Sequence, residues 1–198
     1  MENETGYAAT TEESILPLTD GTPAAVEEVK VPKLTSSEFG EYNRLAEYMD
    51  SFHNHFRVRW NELYATASGK GSKDSNPAKL SPSRFLKAAS QFLDTLTMHH
   101  NIEETYVFPH LSTRMPAFQK NLVLINQHKQ IHAGMEKLGL YLAECREGVR
   151  DLRMEEVQEL MDSWKDVLWS HLDREVEELG AEKMRQYWSI EEMKSFRF

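Results

Sequence analysis

The chain has 198 residues, 40% hydrophobic and 28% charged, enough for one sizeable core but short for two substantial domains. Its 32 acids against 23 bases leave a net charge of −9, spread without a basic face, which excludes nucleic-acid binding by phosphate neutralisation. The single Cys145 excludes an internal disulfide framework and a Cys-based zinc module, no apolar run is long enough to span a membrane, and MENETGYAATTEES lacks the basic and apolar regions of a secretory signal, so a cytoplasmic protein without a membrane partner is expected.

Residues 1–35 carry seven acids against two lysines, with Pro17, Pro23 and Pro32 among them, and read as an acidic, disordered tail. From Ser37 the apolar residues recur with helical period. Leu45, Tyr48, Met49, Phe52, Phe56, Trp60 and Leu63 form one stripe up to Gly69, where GKGSKDSNP predicts a loop. Ser81 as N-cap and Pro82 at the first helical position predict a second helix through Phe85, Ala89, Phe92 and Leu96 to about Phe108, bent or ended by Pro109. Pro116 is expected to open a third helix, carrying Leu122, Ile125, Ile131, Met135, Leu138 and Leu142 and closed near Gly148. Asp151 is expected to cap a fourth, with Val157, Met161, Trp164, Leu168 and Leu172 on one side and an end at Gly180. No stretch alternates with period two. The pattern predicts an all-α fold, an antiparallel four-helix bundle over 36–182, with a short helical extension over 183–198.

All eight histidines lie beyond the tail, and three pairs recur at i, i+4: His99 with Glu103, His128 with His132, and His171 with Glu175. One such pair is weak evidence, since a helix-surface His and Glu often form only a solvated contact. Their phase is more telling. The rows Phe92, Leu96, His99, Glu103, Tyr106; Ile125, His128, His132, Met135; and Leu168, His171, Glu175 each continue an apolar seam, so the core face turns polar at one level in every helix. On the first helix His53 sits on the stripe between Met49 and Phe56, whereas His55 sits off it. In the second, a seam through Leu93, Leu96, His100 and Val107 is nearly as apolar, and phase alone does not choose between His99 with Glu103 and His100 with Glu104.

Burying five imidazoles and two carboxylates uncompensated would cost several kcal/mol per charged group. Imidazole and carboxylate without thiolate suit iron, manganese or zinc, and seven donors exceed what one ion uses. For one histidine alone, hydrogen bonding within an ordinary core is as good an explanation; for seven residues at one level it is a poor one.

The ordered motifs HNHFR, HHNIEETYVFP, HKQIH and HLDREVEEL resemble the hemerythrin-like HHE cation-binding domains over about residues 40–180. The resemblance implies a non-haem di-iron centre with a bridging oxo or hydroxo group inside a four-helix bundle. Its ligands, carried over residue by residue, are His53, His99, Glu103, His128, His132, His171 and Glu175. It favours His99 with Glu103 in the doublet, leaving His100 as a supporting or substitute ligand and His110 at the surface. Where oxygen carriers of marine invertebrates place an Asp five positions after the last His, this chain has Val176, and Glu175 at four positions resembles bacterial and iron-sensing members. The implied partner is dioxygen or another small diatomic ligand, or iron itself. The alternatives are a di-iron oxidase or oxygenase, a peroxide or nitric-oxide scavenger, and a purely structural bundle. The histidine-rich donor set, unlike the carboxylate-rich ferritin-type sites, favours ligand binding or sensing over oxygenation.

Overall fold

The computed structural model describes residues 32–69, 80–119 and 123–196, so the expected tail lies outside the described residues up to residue 31. From Leu34 on, the chain forms one compact unit. Helix α1 (Ser36–Ser68) starts at a capping box: Glu38 N–H donates to the Thr35 hydroxyl at 3.3 Å, and Thr35 N–H donates to the Glu38 carboxylate at 2.8 Å. It ends at Gly69, whose φ of 65° is left-handed.

Helix α2 (Pro82–Ile102) begins with proline in its first turn, although the Ser81 side chain makes no capping bond. The chain does not stop at Pro109. It widens into a π turn over Glu103–Val107 and continues as α3 (Phe108–Leu111). Pro109 has no N–H, and its ring would collide with the carbonyl four residues back in an α-helix, so the backbone opens by one residue and Phe108 N–H donates to the Glu103 carbonyl five residues earlier.

Two expected helix starts are corrected. Pro116 opens only a 3-10 turn (Pro116–Phe118); the following helix, α4, is described as Val123–Arg146, and Leu122 falls outside the described residues. Helix α5 (Met154–Glu178) begins three residues beyond Asp151, with Arg153 at its N-cap. The cause is Tyr141, whose hydroxyl accepts the Arg153 N–H at 2.8 Å and donates to the Arg153 carbonyl at 3.1 Å, holding Arg153 extended. Beyond Gly180 come α6 (Ala181–Met184) and α7 (Ile190–Ser195), with Met184, Trp188, Met193 and Phe196 buried.

The four long helices form an all-α bundle in which α1 packs on α2 and α5, and α4 on α2 and α5; no strand occurs among the described residues. Two apolar cores occupy it. One gathers Phe56, Trp60, Phe92, Leu96, Ile131 and Leu168, and the other Met49, Val107, Leu124, Leu179, Met184 and Trp188. Along α1 the order is Met49, His53, Phe56; along α2 and the π turn it is Leu96, His100 and Glu103, Val107; along α4 it is Leu124, His128, Ile131; along α5 and its C-cap it is Leu168, His171 and Glu175, Leu179. The order reverses from each helix to the next, as antiparallel packing requires, and a polar layer separates the two cores. Tyr48 and Phe52, expected on the inner stripe of α1, are 60% and 59% exposed.

One close approach fixes the spacing of α4 and α5. A Cβ on Gly134 would lie 2.3 Å from the Trp164 ring, whereas one on Gly139 would meet only Leu93 Cδ1, at 3.6 Å. Gly134→Ala is therefore expected to destabilise the protein by about 1–3 kcal/mol through overpacking. Gly139→Ala should stabilise it by about 0.5–1 kcal/mol through helix propensity. Denaturant unfolding of the two variants checks the pair.

Candidate metal centre

The polar layer is built from one or two turns of each helix. From α1, His53 is fully buried and its Nδ1–H donates to the Leu172 carbonyl at 2.9 Å, which leaves the Nε2 lone pair facing inward, 3.5 Å from Glu175 Oε2. From α4, His128 Nδ1–H donates to Glu104 Oε1 at 2.7 Å, and its Nε2 faces His171 Nε2 at 3.1 Å. Each ring thus has one nitrogen tied to an oxygen and the other directed at its neighbours, an arrangement that fixes tautomer and orientation in metal-ligating histidines.

Two carboxylates join the imidazoles. Glu103 sends one oxygen to His99 Nε2 at 2.7 Å and the other to His128 Nε2 at 3.5 Å. Glu175 Oε2 lies 3.5 Å from His53 Nε2 and 3.4 Å from His171 Nε2. Both acids therefore lie between the same two sets of rings, His53 with His99 on one side and His128 with His171 on the other. Donor atoms of His53, His99 and Glu103 lie within 4.8 Å of one another, as do those of His100, Glu103, His128 and His171.

Six of the seven residues expected from sequence meet in this layer. His132 is placed at its edge, about a third exposed, with Nε2 3.4 Å from Glu104 Oε1, and it groups with Glu104 and His128. His100 is fully buried inside the layer. On α2, His99 and His100 lie one turn before Glu103 and flank it, so all three face the centre, and the π turn that follows turns Val107 inward and leaves Tyr106 66% exposed. Glu104 enters as the partner of His128, which the sequence signalled only through the doublet Glu103–Glu104. His55 and His110 are exposed; His110 stacks on Trp188 with ring centres 5.1 Å apart.

Residues 44–182 match the hemerythrin HHE cation-binding domain. The chain belongs to that family. It is also 33% identical over 97 residues to the dimeric xanthone biosynthesis cluster protein R11 of Cryptosporiopsis sp. (strain 8999). That match covers 47% of this chain and about a third (34%) of the relative's length. No solved structure matches the chain.

A hemerythrin domain binds metal cations, and the donors here suit one. His53 Nε2, both nitrogens of His100, His171 Nδ1 and both oxygens of Glu103 and of Glu175 are buried without a hydrogen-bond partner. His99 Nε2 approaches Glu103 closely, yet neither atom is aligned for a hydrogen bond. Each unanswered buried group costs about 1–3 kcal/mol, and a positive ion answers the carboxylate oxygens together with one nitrogen of each ring that faces it.

Burial holds these imidazoles neutral. Desolvation pushes His53 down to about 3, His99 to about 4 and His128 to about 4, and drives His100 and His171 well down too. Desolvation, reinforced by a neighbouring carboxylate, raises Glu103 and Glu175 well above the usual range. In the metal-free protein the signs are opposite. Below pH ~6.5 the unfolded chain takes up protons that the buried histidines refuse, so each His removes up to about 1.4 kcal/mol of stability per pH unit as pH falls towards its folded value. Above pH ~4.5 the folded Glu pair keeps protons that the unfolded chain releases, so each Glu lowers stability as pH rises towards its folded value. With five histidines opposing two glutamates, metal-free protein is expected to be most stable near pH ~6.5 and to lose stability on both sides, more steeply towards acid. Urea titrations of chelated protein between pH 4.5 and 8.5 check this; stability rising steadily into acid would contradict it.

Proposed function

We propose that the domain holds two iron ions and uses them to bind dioxygen or a related diatomic ligand reversibly, or to sense or buffer iron, in a reducing cytoplasmic setting. The observation that carries the reading is the double bridge: Glu103 spans His99 and His128, and Glu175 spans His53 and His171. One ion would rest on His53 and His99, the second on His128 and His171, with both carboxylates shared and His132, the remaining ligand suggested by the family pattern, at the rim. Imidazole and carboxylate donors without thiolate suit iron, and a pair of reduced irons held here would supply electrons to a small bound ligand and be oxidised in turn.

The chain's own residues define what such a site favours. Imidazoles outnumber the two bridging carboxylates, the reverse of ferritin-type bundles with four Glu and two His, so the donors bring little negative charge to stabilise strongly oxidised iron. The layer is closed above and below by apolar cores, with Phe56 and Phe108 rings 5.0 Å from His99 and 4.9 Å from His128. Such walls keep water from the layer and favour a small ligand over a bulky substrate. Glu104 fixes the His128 ring, and the Leu172 carbonyl fixes His53.

A second reading, a di-iron oxidase acting on an organic molecule, is favoured by a groove of about 660 Å³ beside Glu104, walled by Phe108, Phe118 and Ile125, and by the relative's being a xanthone biosynthesis cluster protein. The two readings separate in one experiment. Iron-loaded protein is reduced anaerobically, exposed to air and then purged. An optical band that appears with air and fades on purging supports reversible binding; repeated turnover of an added aromatic substrate with a reductant supports the oxidase.

Replacing Glu103, His128 or His171 by Ala should lower iron per chain by at least half, while His55→Ala and His110→Ala should leave it unchanged. Elemental analysis of the purified variants checks the contrast. Chelation should lower the melting temperature but leave the helical circular dichroism intact, because both apolar cores persist without the ion.

A further inference from the structure

We infer that His100, not His132, supplies the third imidazole of the ion at His128 and His171. The inference deepens the proposed di-iron reading and rests on it. His100 is fully buried and neither of its ring nitrogens has a hydrogen-bond partner, which makes it the least satisfied ring in the molecule's described residues. A buried imidazole ordinarily ties at least one nitrogen to a carbonyl, a carboxylate or water. Its ring stacks on His128 with centres 4.2 Å apart and meets the His171 ring edge-on at 5.7 Å. A donor atom of His100 joins those of Glu103, His128 and His171 within 4.8 Å, a group of four that excludes His132.

His132 has another role in this arrangement. Its Nε2 lies 3.4 Å from the same Glu104 oxygen that accepts the His128 Nδ1–H at 2.7 Å. It therefore braces the carboxylate that orients a ligand, from the solvent side, and acts on the ion only through Glu104 and His128. It also stands between two open grooves, of about 390 and 660 Å³, and so forms the wall between solvent and the centre. Helix geometry permits both rings. His99 and His100 lie in regular α2, four and three residues before Glu103, so they flank it about 40° and 60° away on one face. His99 faces the His53 side and His100 the His128 side.

The test loads wild type, His100→Ala, His100→Gln and His132→Ala with Fe(II) anaerobically, counts ions per chain by elemental analysis, and repeats the loading with Co(II) to read coordination from its visible absorption. Helical circular dichroism is recorded for each. Wild type is expected to take two ions. Both His100 variants should fall to about one, or bind the second more than tenfold more weakly, with an altered cobalt spectrum. His132→Ala should keep two ions and the wild-type cobalt spectrum, with affinity reduced less than tenfold. The inference is overturned if His132→Ala loses an ion or changes the cobalt spectrum, or if a His100 variant retains both ions with the spectrum unchanged. If both His100 variants fail to fold, the surface substitution His132→Ala still decides. Wild type that takes up neither metal would overturn the di-iron reading itself, a result distinct from any of these.

Discussion

Two carboxylates buried among five imidazoles, with no Lys or Arg paired to them among the described residues, are the constraint around which this fold is arranged. Glu103 and Glu175 have no hydrogen-bond partner, and the histidines facing them are held neutral by burial. A bundle gains nothing in stability from such a layer on its own, since a well-packed apolar layer of the same volume would avoid the desolvation penalty. The layer is retained at one level in four helices because a metal ion turns the same donors from a liability into a cooperative cluster.

The rest of the architecture makes that layer affordable. Apolar cores on either side supply the burial that keeps the helices together whether or not an ion is bound, and the Trp164 ring fits into the gap left by Gly134 to bring α4 and α5 close. The C-terminal segment closes the end of the bundle nearest the second core: Tyr42 donates to the Trp188 carbonyl at 3.0 Å, Arg44 to the Met193 carbonyl at 2.8 Å, and the Arg114 guanidinium lies 4.4 Å over the Trp188 ring while pairing with Glu192. Rigid surroundings matter for function. Donors on four helices hold a fixed mutual geometry only if the helices cannot slide.

The four-helix pattern and the level of the polar layer were legible in sequence because both depend on hydrophobic period, and His53, His128, His171 and Glu175 each continue a seam that the structure buries. What could not be read depends on backbone events without a period. Pro109 was visible as a disruption, but a proline that ends a helix and one that opens a π turn leave the same mark in sequence. His99 and His100 both reach the centre because they flank Glu103 on one face of regular α2, a result that a strict choice between two seams excludes. The start of α5 was misplaced because its determinant, the Tyr141 hydroxyl, lies 12 residues from Arg153 and acts through tertiary contact, not through a local cap. Pro116 signals a helix start in sequence although it opens a 3-10 turn, because proline is equally at home in the first turn of either.

Glu103 and Glu175 are proposed to bridge two ions between the histidines of opposite helices. Anomalous diffraction at the iron edge from crystals of iron-loaded protein addresses it directly. The account predicts two peaks in the buried layer, one beside His53 and His99 and the other beside His128 and His171, with both carboxylates in contact with each. A single peak, or iron found only at the rim beside Glu104 and His132, would contradict it.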